Sequence, residues 1–284
     1  MKKFEDFDLT NFNSYRVKAV GREVFFPETE QDVIDLYTIS RDYILLGSGH
    51  NIILTKEYYD KPIIVFNGNF DTISVNDSDV VEVEAGAMMH DVAQVALEHS
   101  LKGIEIFYDI PSSLGGAVVM NAGASGEEIK DVLVKVRYFD LADLQVKEIL
   151  KEDISFEYRN SFFQRNTDKI VLKAWMKLDI FNQDLIREKM ETIKAQRWAK
   201  QPKEFPNGGS VFKRPQGYYV GAIIDELKLK GYTVGGAKIS EKHGGFIVNF
   251  ADAKGSDIVS IIEHVNMLVH TMYGFELEVE QRII

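Results

Sequence analysis

Asp109-Ile110-Pro111-Ser112-Ser113-Leu114-Gly115-Gly116-Ala117, resumed at Asn121-Ala122-Gly123-Ala124-Ser125-Gly126, is the stretch on which the reading of this chain turns. Between Ser112 and Gly126 only Leu114, Val118, Val119 and Met120 carry sizeable apolar side chains. Side chains this small leave space at the surface and open many backbone N–H groups to a flat, phosphate-bearing ligand. Close packing of a helix on a sheet is the competing explanation. Packing alone seldom calls for serines, an asparagine and glycines together.

Outward from this stretch the patterning is mixed. Val81, Val83 and Ala85 alternate with Glu82 and Glu84, which predicts a half-buried strand, and 91–100 sets Val92, Val95, Ala96 and His99 on one helical face. Segments 132–139 and 170–178 have period two, with Ile170, Leu172, Ala174, Met176 and Leu178 sharing a face. Toward the N-terminus, a strand at 23–27 stops at proline, and Val33, Leu36 and Tyr37 mark a helix over 30–39. Short strands follow at 43–46, 52–54 and 63–66. A charged helix over 188–199 leads to the last third. There the spacing predicts a helix over 221–227 with a glycine stop near Lys230-Gly231, then a strand at 246–250. Ser256 is read as the N-cap of a helix burying Ile258, Ile261, Ile262, Val265, Leu268, Val269 and Met272, and 275–284 as a final strand. Without a regular βαβα rhythm the class is α+β, divided at 1–66, 67–198 and 199–284.

The 284 residues exceed a typical single core, with hydrophobic and charged contents of 45% and 27%, ordinary for a globular protein. A net charge of −11 with no basic block argues against nucleic-acid binding, though a local basic pocket is compatible with it. The lack of cysteine excludes disulfides, thiolate nucleophiles and Cys-ligated metals. No apolar run follows Met1-Lys2-Lys3-Phe4-Glu5-Asp6, and none anywhere is long enough for a bilayer. A cytoplasmic monomer without membrane or nucleic-acid partners is expected. His90, His99, His264 and His270 fall on helices or their edges without metal-ligand spacing, so no metal is expected. His243, in Ser240-Glu241-Lys242-His243-Gly244-Gly245, is the histidine placed near a site.

Four other segments bear on chemistry. Gly47-Ser48-Gly49-His50-Asn51 follows a strand, where a turn of N–H groups can bind phosphate, but it matches neither a Rossmann nor a P-loop fingerprint, and a plain turn remains open. Pro206-Asn207-Gly208-Gly209-Ser210-Val211-Phe212-Lys213 presents a hydroxyl after two glycines, among Lys200, Lys213 and Arg214, as an anionic substrate would require. Arg159, in Phe156-Glu157-Tyr158-Arg159-Asn160-Ser161, reads either as a buried clamp for a carboxylate or as an internal ion pair with Glu157. Glu276, Glu278 and Glu280 alternate with apolar residues and fit a solvated strand face.

Taken in order, these segments resemble the UDP-N-acetylenolpyruvoylglucosamine reductases, flavoenzymes of bacterial peptidoglycan precursor synthesis. The motifs are Gly-x-Gly-x-Asn, Ile-Pro…Gly-Gly-Ala…Met-Asn-Ala-Gly-Ala, Tyr-Arg-Asn-Ser-x-Phe, Gly-Ser-x-Phe-Lys and a terminal Leu-Glu-x-Glu, spread from about Asn11 to Arg282. The resemblance implies a two-part FAD-binding unit of the vanillyl-alcohol-oxidase (PCMH) type and a C-terminal α+β substrate domain. It implies FAD held non-covalently by Gly47, Ser48, Gly49, His50, Asn51, Ile110, Pro111, Ser112, Ser113, Gly115, Gly116, Asn121, Ala122, Gly123 and Ala124. NADPH is the implied hydride donor, and the enolpyruvyl ether of UDP-N-acetylglucosamine the implied acceptor. Ser210 matches the proton donor, and Arg159 and Glu280 the residues that hold and polarise the carboxylate. Glu280 in that role needs a partly buried site of low polarity. Lys200 and Lys213 match positions near the diphosphate, with Arg214, Tyr218 and His243 as further substrate contacts.

The compact run from Lys200 to Ser210 resembles the shorter form of the family, without an extra tyrosine loop. Ser112, Ser125 and Arg214 depart from the family's usual glycine, tyrosine and asparagine. The rival readings are an FAD-dependent oxidase on the same scaffold and a catalytically idle nucleotide-sugar-binding protein.

Overall fold

Alternation places the central strand. In the computed structural model, which describes residues 1–76 and 79–284, Lys169–Lys177 buries Ile170, Leu172, Ala174 and Met176, with Leu178 just beyond it. Val171 is buried as well, so part of the strand is covered on both sides. It lies in the middle of a five-stranded antiparallel sheet ordered Gln145–Leu150, Leu133–Asp140, Lys169–Lys177, Val80–Glu84, Ile73–Val75. Each large aliphatic side chain fully buried there contributes about 1.5–3 kcal/mol.

The helix Leu114–Met120 belongs to the same apolar core, burying Leu114, Ala117 and Val118. Gly115 lets it approach: a Cβ there would stand 3.2 Å from the Ala85 carbonyl oxygen and 3.3 Å from the Ala85 Cβ. Close packing therefore accounts for Gly115, and not for the serines before it. The helix Gln183–Lys200 lays Ile186 and Met190 against Ala93 and Leu97 of Met89–Glu98.

By contact the chain forms two compact units. The first comprises Met1–Glu5, Glu23–Ser48 and Lys61–Gln196; the second comprises Asp6–Arg22, Gly49–Asp60 and Arg197–Ile284. The first unit adds a small parallel sheet, in which Ile63–Val65 pairs with Ile44–Leu46 and with Val24 and Phe25. The second unit holds a four-stranded antiparallel sheet, Asn207–Ser210, Phe246–Asn249, Ala237–Ile239, Thr233–Val234, with the long helix Gly255–Tyr273 packed on it. Ile52–Ile53 pairs in parallel with Arg282–Ile283, which ties segment 49–60 to the C-terminus within that unit. Asn13 knots the 6–22 segment: its amide donates to the Leu9 and Val17 carbonyls and accepts from the Val17 N–H.

Several expectations need correction. The helix begins at Gly255, one residue before Ser256. The Asp257 carboxylate accepts from the Lys254 and Gly236 N–H groups and does the capping there. Leu268 is half-buried and Met272 is 54% exposed, so neither belongs to the buried face of that helix. His99 lies beyond the end of Met89–Glu98 and is exposed. The helix Val220–Glu226 ends ahead of Gly231, where Lys228 takes the left-handed conformation at φ +55°. Only Arg282–Ile283 of the expected terminal strand is regular. Upstream, the pairing with 211–213 is a single bridge, Phe212 with Val279, and two flanking hydrogen bonds.

Candidate active site

In the first unit, the strand Ile44–Leu46 delivers Gly47 and Ser48 to the start of the small-residue stretch. The Ser48 hydroxyl accepts from the Ser113 N–H at 3.1 Å, and the Ser112 carbonyl accepts from the Met89 N–H at 2.8 Å. The backbone at 112–113 is thus fixed from both sides. The hydroxyls are not: Ser112 Oγ and Ser113 Oγ are buried with no hydrogen-bond partner among the described residues. A buried hydroxyl left unmade costs about 1–3 kcal/mol. A Cβ on Gly47 would stand 2.7 Å from Ser113 Oγ, so glycine keeps that hydroxyl's space open. Two uncommitted hydroxyls beside a glycine cradle suit the phosphate oxygens of a dinucleotide, and the residues present fit FAD. Ser112 is not among the residues with positive φ, so serine at this position carries no left-handed strain; Ser125 does adopt one, at φ +57°.

The far end of the stretch is committed internally. Asn121, fully buried and left-handed at φ +46°, donates its amide to Glu128 Oε2 and to the Glu157 carbonyl, both at 2.9 Å. Arg159 is half-buried rather than buried, at φ +52°. Its guanidinium donates to the Gly123 carbonyl at 2.7 Å and the Asn121 carbonyl at 3.3 Å, and lies 5.1 Å from the Tyr158 ring centroid. Two motifs read separately along the chain, 121–124 and 156–161, are therefore brought together within this unit. Glu157 accepts from Asn160 Nδ2 and lies 3.8 Å from Arg165.

In the second unit, Ser210 ends the strand Asn207–Ser210 and is exposed. Gly209, at φ +79°, makes the turn that only glycine adopts without strain. The Asn207 side chain accepts from the Gly209 N–H at 3.1 Å and donates to the Phe205 carbonyl at 2.8 Å. The half-buried Glu280 donates its N–H to the Val211 carbonyl at 2.8 Å, so the two expected catalytic residues of this unit stand on adjoining, hydrogen-bonded backbone. Gly49 fits against the Phe12 carbonyl, where a Cβ would clash at 2.1 Å, and the half-buried His50 follows it. Asn51 donates its amide to the Glu280 carbonyl at 3.1 Å and accepts from the Arg282 N–H at 2.9 Å.

Lys213 pairs with Glu278 at 2.6 Å, while Lys200 is exposed at the end of its helix. Arg214 stacks 3.9 Å from the Tyr219 ring centroid, and Tyr218 packs on Tyr273 and Phe275. His243 accepts the Gly245 N–H on Nδ1 at 3.1 Å, and burial lowers its pKa below the ordinary histidine value. Two residues of this unit escaped the reading of the sequence, Tyr15 and Gln281, and Asn207 was quoted in its motif without a role. The signal for Gln281 was a lone amide beside Glu280 in an otherwise apolar or charged terminus.

Comparisons with known proteins bear on the family of this chain. The family model described as FAD binding domain matches residues 22–149, and that described as UDP-N-acetylenolpyruvoylglucosamine reductase, C-terminal domain, matches residues 201–284. The two family matches and the fold define an FAD-dependent oxidoreductase of α+β class. The UDP-N-acetylenolpyruvoylglucosamine reductase of Francisella tularensis is 38% identical over 282 residues, 99% of each chain. That of Caldanaerobacter subterraneus is 37% identical over 280 residues, 97% of this chain and 91% of its own. The crystal structure of the enzyme from Thermus caldophilus superposes with a TM-score of 0.83 at 30% identity, covering 99% of this chain and 98% of that one. The chain belongs to the UDP-N-acetylenolpyruvoylglucosamine reductase family.

Proposed function

We propose that this chain reduces the enolpyruvyl ether of UDP-N-acetylglucosamine to UDP-N-acetylmuramate with NADPH, as a cytoplasmic monomer. Among the described residues no helix is long and apolar enough to cross a membrane. In this reading segments 1–66 and 67–198 carry the cofactor and 199–284 the substrate. Bound FAD supplies the hydride carrier between NADPH and substrate. Ser48 holds the Ser113 backbone, and the hydroxyls of Ser112 and Ser113 would receive the cofactor's phosphates.

Reduction of the vinyl carbon leaves negative charge on the neighbouring carbon and its carboxylate. Arg159 holds that carboxylate through a guanidinium that stays charged whatever its burial. Glu280 polarises it from a half-buried position. Ser210 delivers the proton to the carbon. A serine is a weak acid, so fixed cations and exclusion of water must assist it. Lys200, Lys213, Arg214, Tyr218 and His243 are assigned to the nucleotide sugar.

The observation that carries this reading is the exposed Ser210, set between a glycine turn and Val211, whose carbonyl accepts the Glu280 N–H. An anaerobic absorbance experiment tests it. Protein bleached with NADPH regains its yellow band on addition of the enolpyruvyl sugar nucleotide, without oxygen. Recovery only on admitting air assigns an oxidase instead. A colourless protein that takes up no FAD assigns a binding protein.

A further inference from the structure

Gln281 is 3% exposed, and every polar atom of its side chain is used on one loop and one tyrosine. Its Oε1 accepts from the Tyr15 hydroxyl at 2.8 Å, across 266 positions of sequence. Its Nε2 donates to the Gly208 carbonyl at 2.9 Å, with the Gly209 and Ser210 carbonyls each at 3.4 Å. The amide thus faces three successive carbonyls of the turn that ends in Ser210. The three carbonyls fix its orientation, since they can only accept and only the NH2 end can donate to them, which leaves Oε1 to take the Tyr15 O–H proton. Tyr15 is fully buried, and burial raises its pKa, so the hydroxyl stays a donor.

The same two side chains explain why residue 208 is glycine. A Cβ there would lie 2.7 Å from Tyr15 Cε2 and 2.8 Å from Gln281 Nε2. Tyrosine and glutamine close on the bare backbone and leave room for nothing else. A pair of apolar side chains would fill a comparable space without the cost of burying polar groups. What such a pair cannot do is select one orientation of the 208–210 peptides.

Gln281 is also the next residue to Glu280, whose N–H is bonded to the Val211 carbonyl. The backbone before Ser210 and the backbone after it are therefore both attached to the 280–281 segment. We infer that Tyr15 and Gln281 are positioning residues that hold the Ser210 hydroxyl in register with Glu280 for proton delivery. Neither touches the reacting atoms; both act through the carbonyls of 208–210. This inference rests on the proton-donor assignment of Ser210.

The test separates the two half-reactions in the FAD-loaded enzyme. Gln281→Met keeps the volume and removes every hydrogen bond. Reoxidation of the flavin by the enolpyruvyl sugar nucleotide slows by roughly 10–100-fold, the scale of a sub-ångström to 1 Å misplacement, while bleaching by NADPH stays within about twofold. Tyr15→Phe, which removes one oxygen, gives a smaller loss of the same kind, about 3–10-fold.

The decisive readout is a double-mutant cycle. In a Ser210→Ala background neither substitution slows reoxidation further, because the residue they position is gone. Equal slowing of both half-reactions, or the same fold-loss with and without Ser210, makes the pair a structural element only and overturns the inference. Should Gln281→Met fail to fold, Tyr15→Phe runs the same cycle. Ser210→Ala alone leaving reoxidation intact overturns the donor assignment itself, a result visible before either positioning variant is made.

Discussion

Two serine-bearing turns, one in each unit, are built on opposite plans. At Ser112-Ser113 the backbone is secured by Ser48 and Met89, and the hydroxyls are buried without partners among the described residues. At Gly208-Gly209-Ser210 the backbone is secured by Asn207 and Gln281, and Ser210 is exposed. In the proposed reading the phosphate oxygens of the cofactor would offset the desolvation of the first turn's buried hydroxyls. The second has its backbone fixed in advance, as the proposed proton donor needs its geometry set before the substrate arrives. Two turns made of the same residue types differ in what they leave uncommitted among the described residues: buried hydroxyls in the first, an exposed serine in the second.

The largest effect that tests this contrast is on the second turn. Ser210→Ala is expected to slow substrate-driven flavin reoxidation by roughly 10²–10⁴-fold and leave NADPH bleaching nearly unchanged. Stopped-flow traces of the two halves decide it; equal slowing of both removes the proton-donor role. On the first turn, Ser113→Ala is expected to weaken FAD by about 10–100-fold, from the ~1.5–3 kcal/mol of a hydrogen bond to a charged group. The apoprotein should melt at the same temperature or slightly higher, because an unpartnered hydroxyl has been removed. Fluorescence titration with FAD and apoprotein melting report these separately, and a destabilised apoprotein with normal FAD affinity would reverse the comparison.

A smaller effect is expected at Gly209. Alanine must hold φ near +79°, at a cost of about 1–2 kcal/mol, read by denaturant unfolding. The smallest concerns pH. Burial lowers the His243 pKa, so below the unfolded value near 6.5 the unfolded chain binds more protons than the folded one. The contribution of neutral His243 is present above that pH and is lost as pH falls through it. The Gly245 N–H that it accepts belongs to a segment whose carbonyl receives the Val211 N–H, next to Ser210. His243→Asn, which retains an acceptor, should flatten the stability profile below about pH 6.5. An unchanged slope would detach His243 from this turn.

The sequence by itself determined a good deal. Period-two alternation placed the strand Lys169–Lys177 and its buried face, and the helix Glu30–Ile39 fell at the expected residues, because side-chain periodicity is a local property of the backbone. The family was legible from five motifs, since each is a short run whose residue types have a job wherever the chain takes them. Element ends were less legible. Ser256 was a sound cap by type, yet Asp257 took the role through the Gly236 N–H, 21 positions away.

Only the tertiary structure decided three things: that 6–22 and 49–60 group with the C-terminal segment, that the Ser112 and Ser113 hydroxyls have no partner among the described residues, and that Tyr15 meets Gln281 over Gly208. The physical reason is common to all three. Periodicity and turn chemistry act over a few residues, whereas a buried polar atom finds its partner among segments that fold against it from anywhere in the chain.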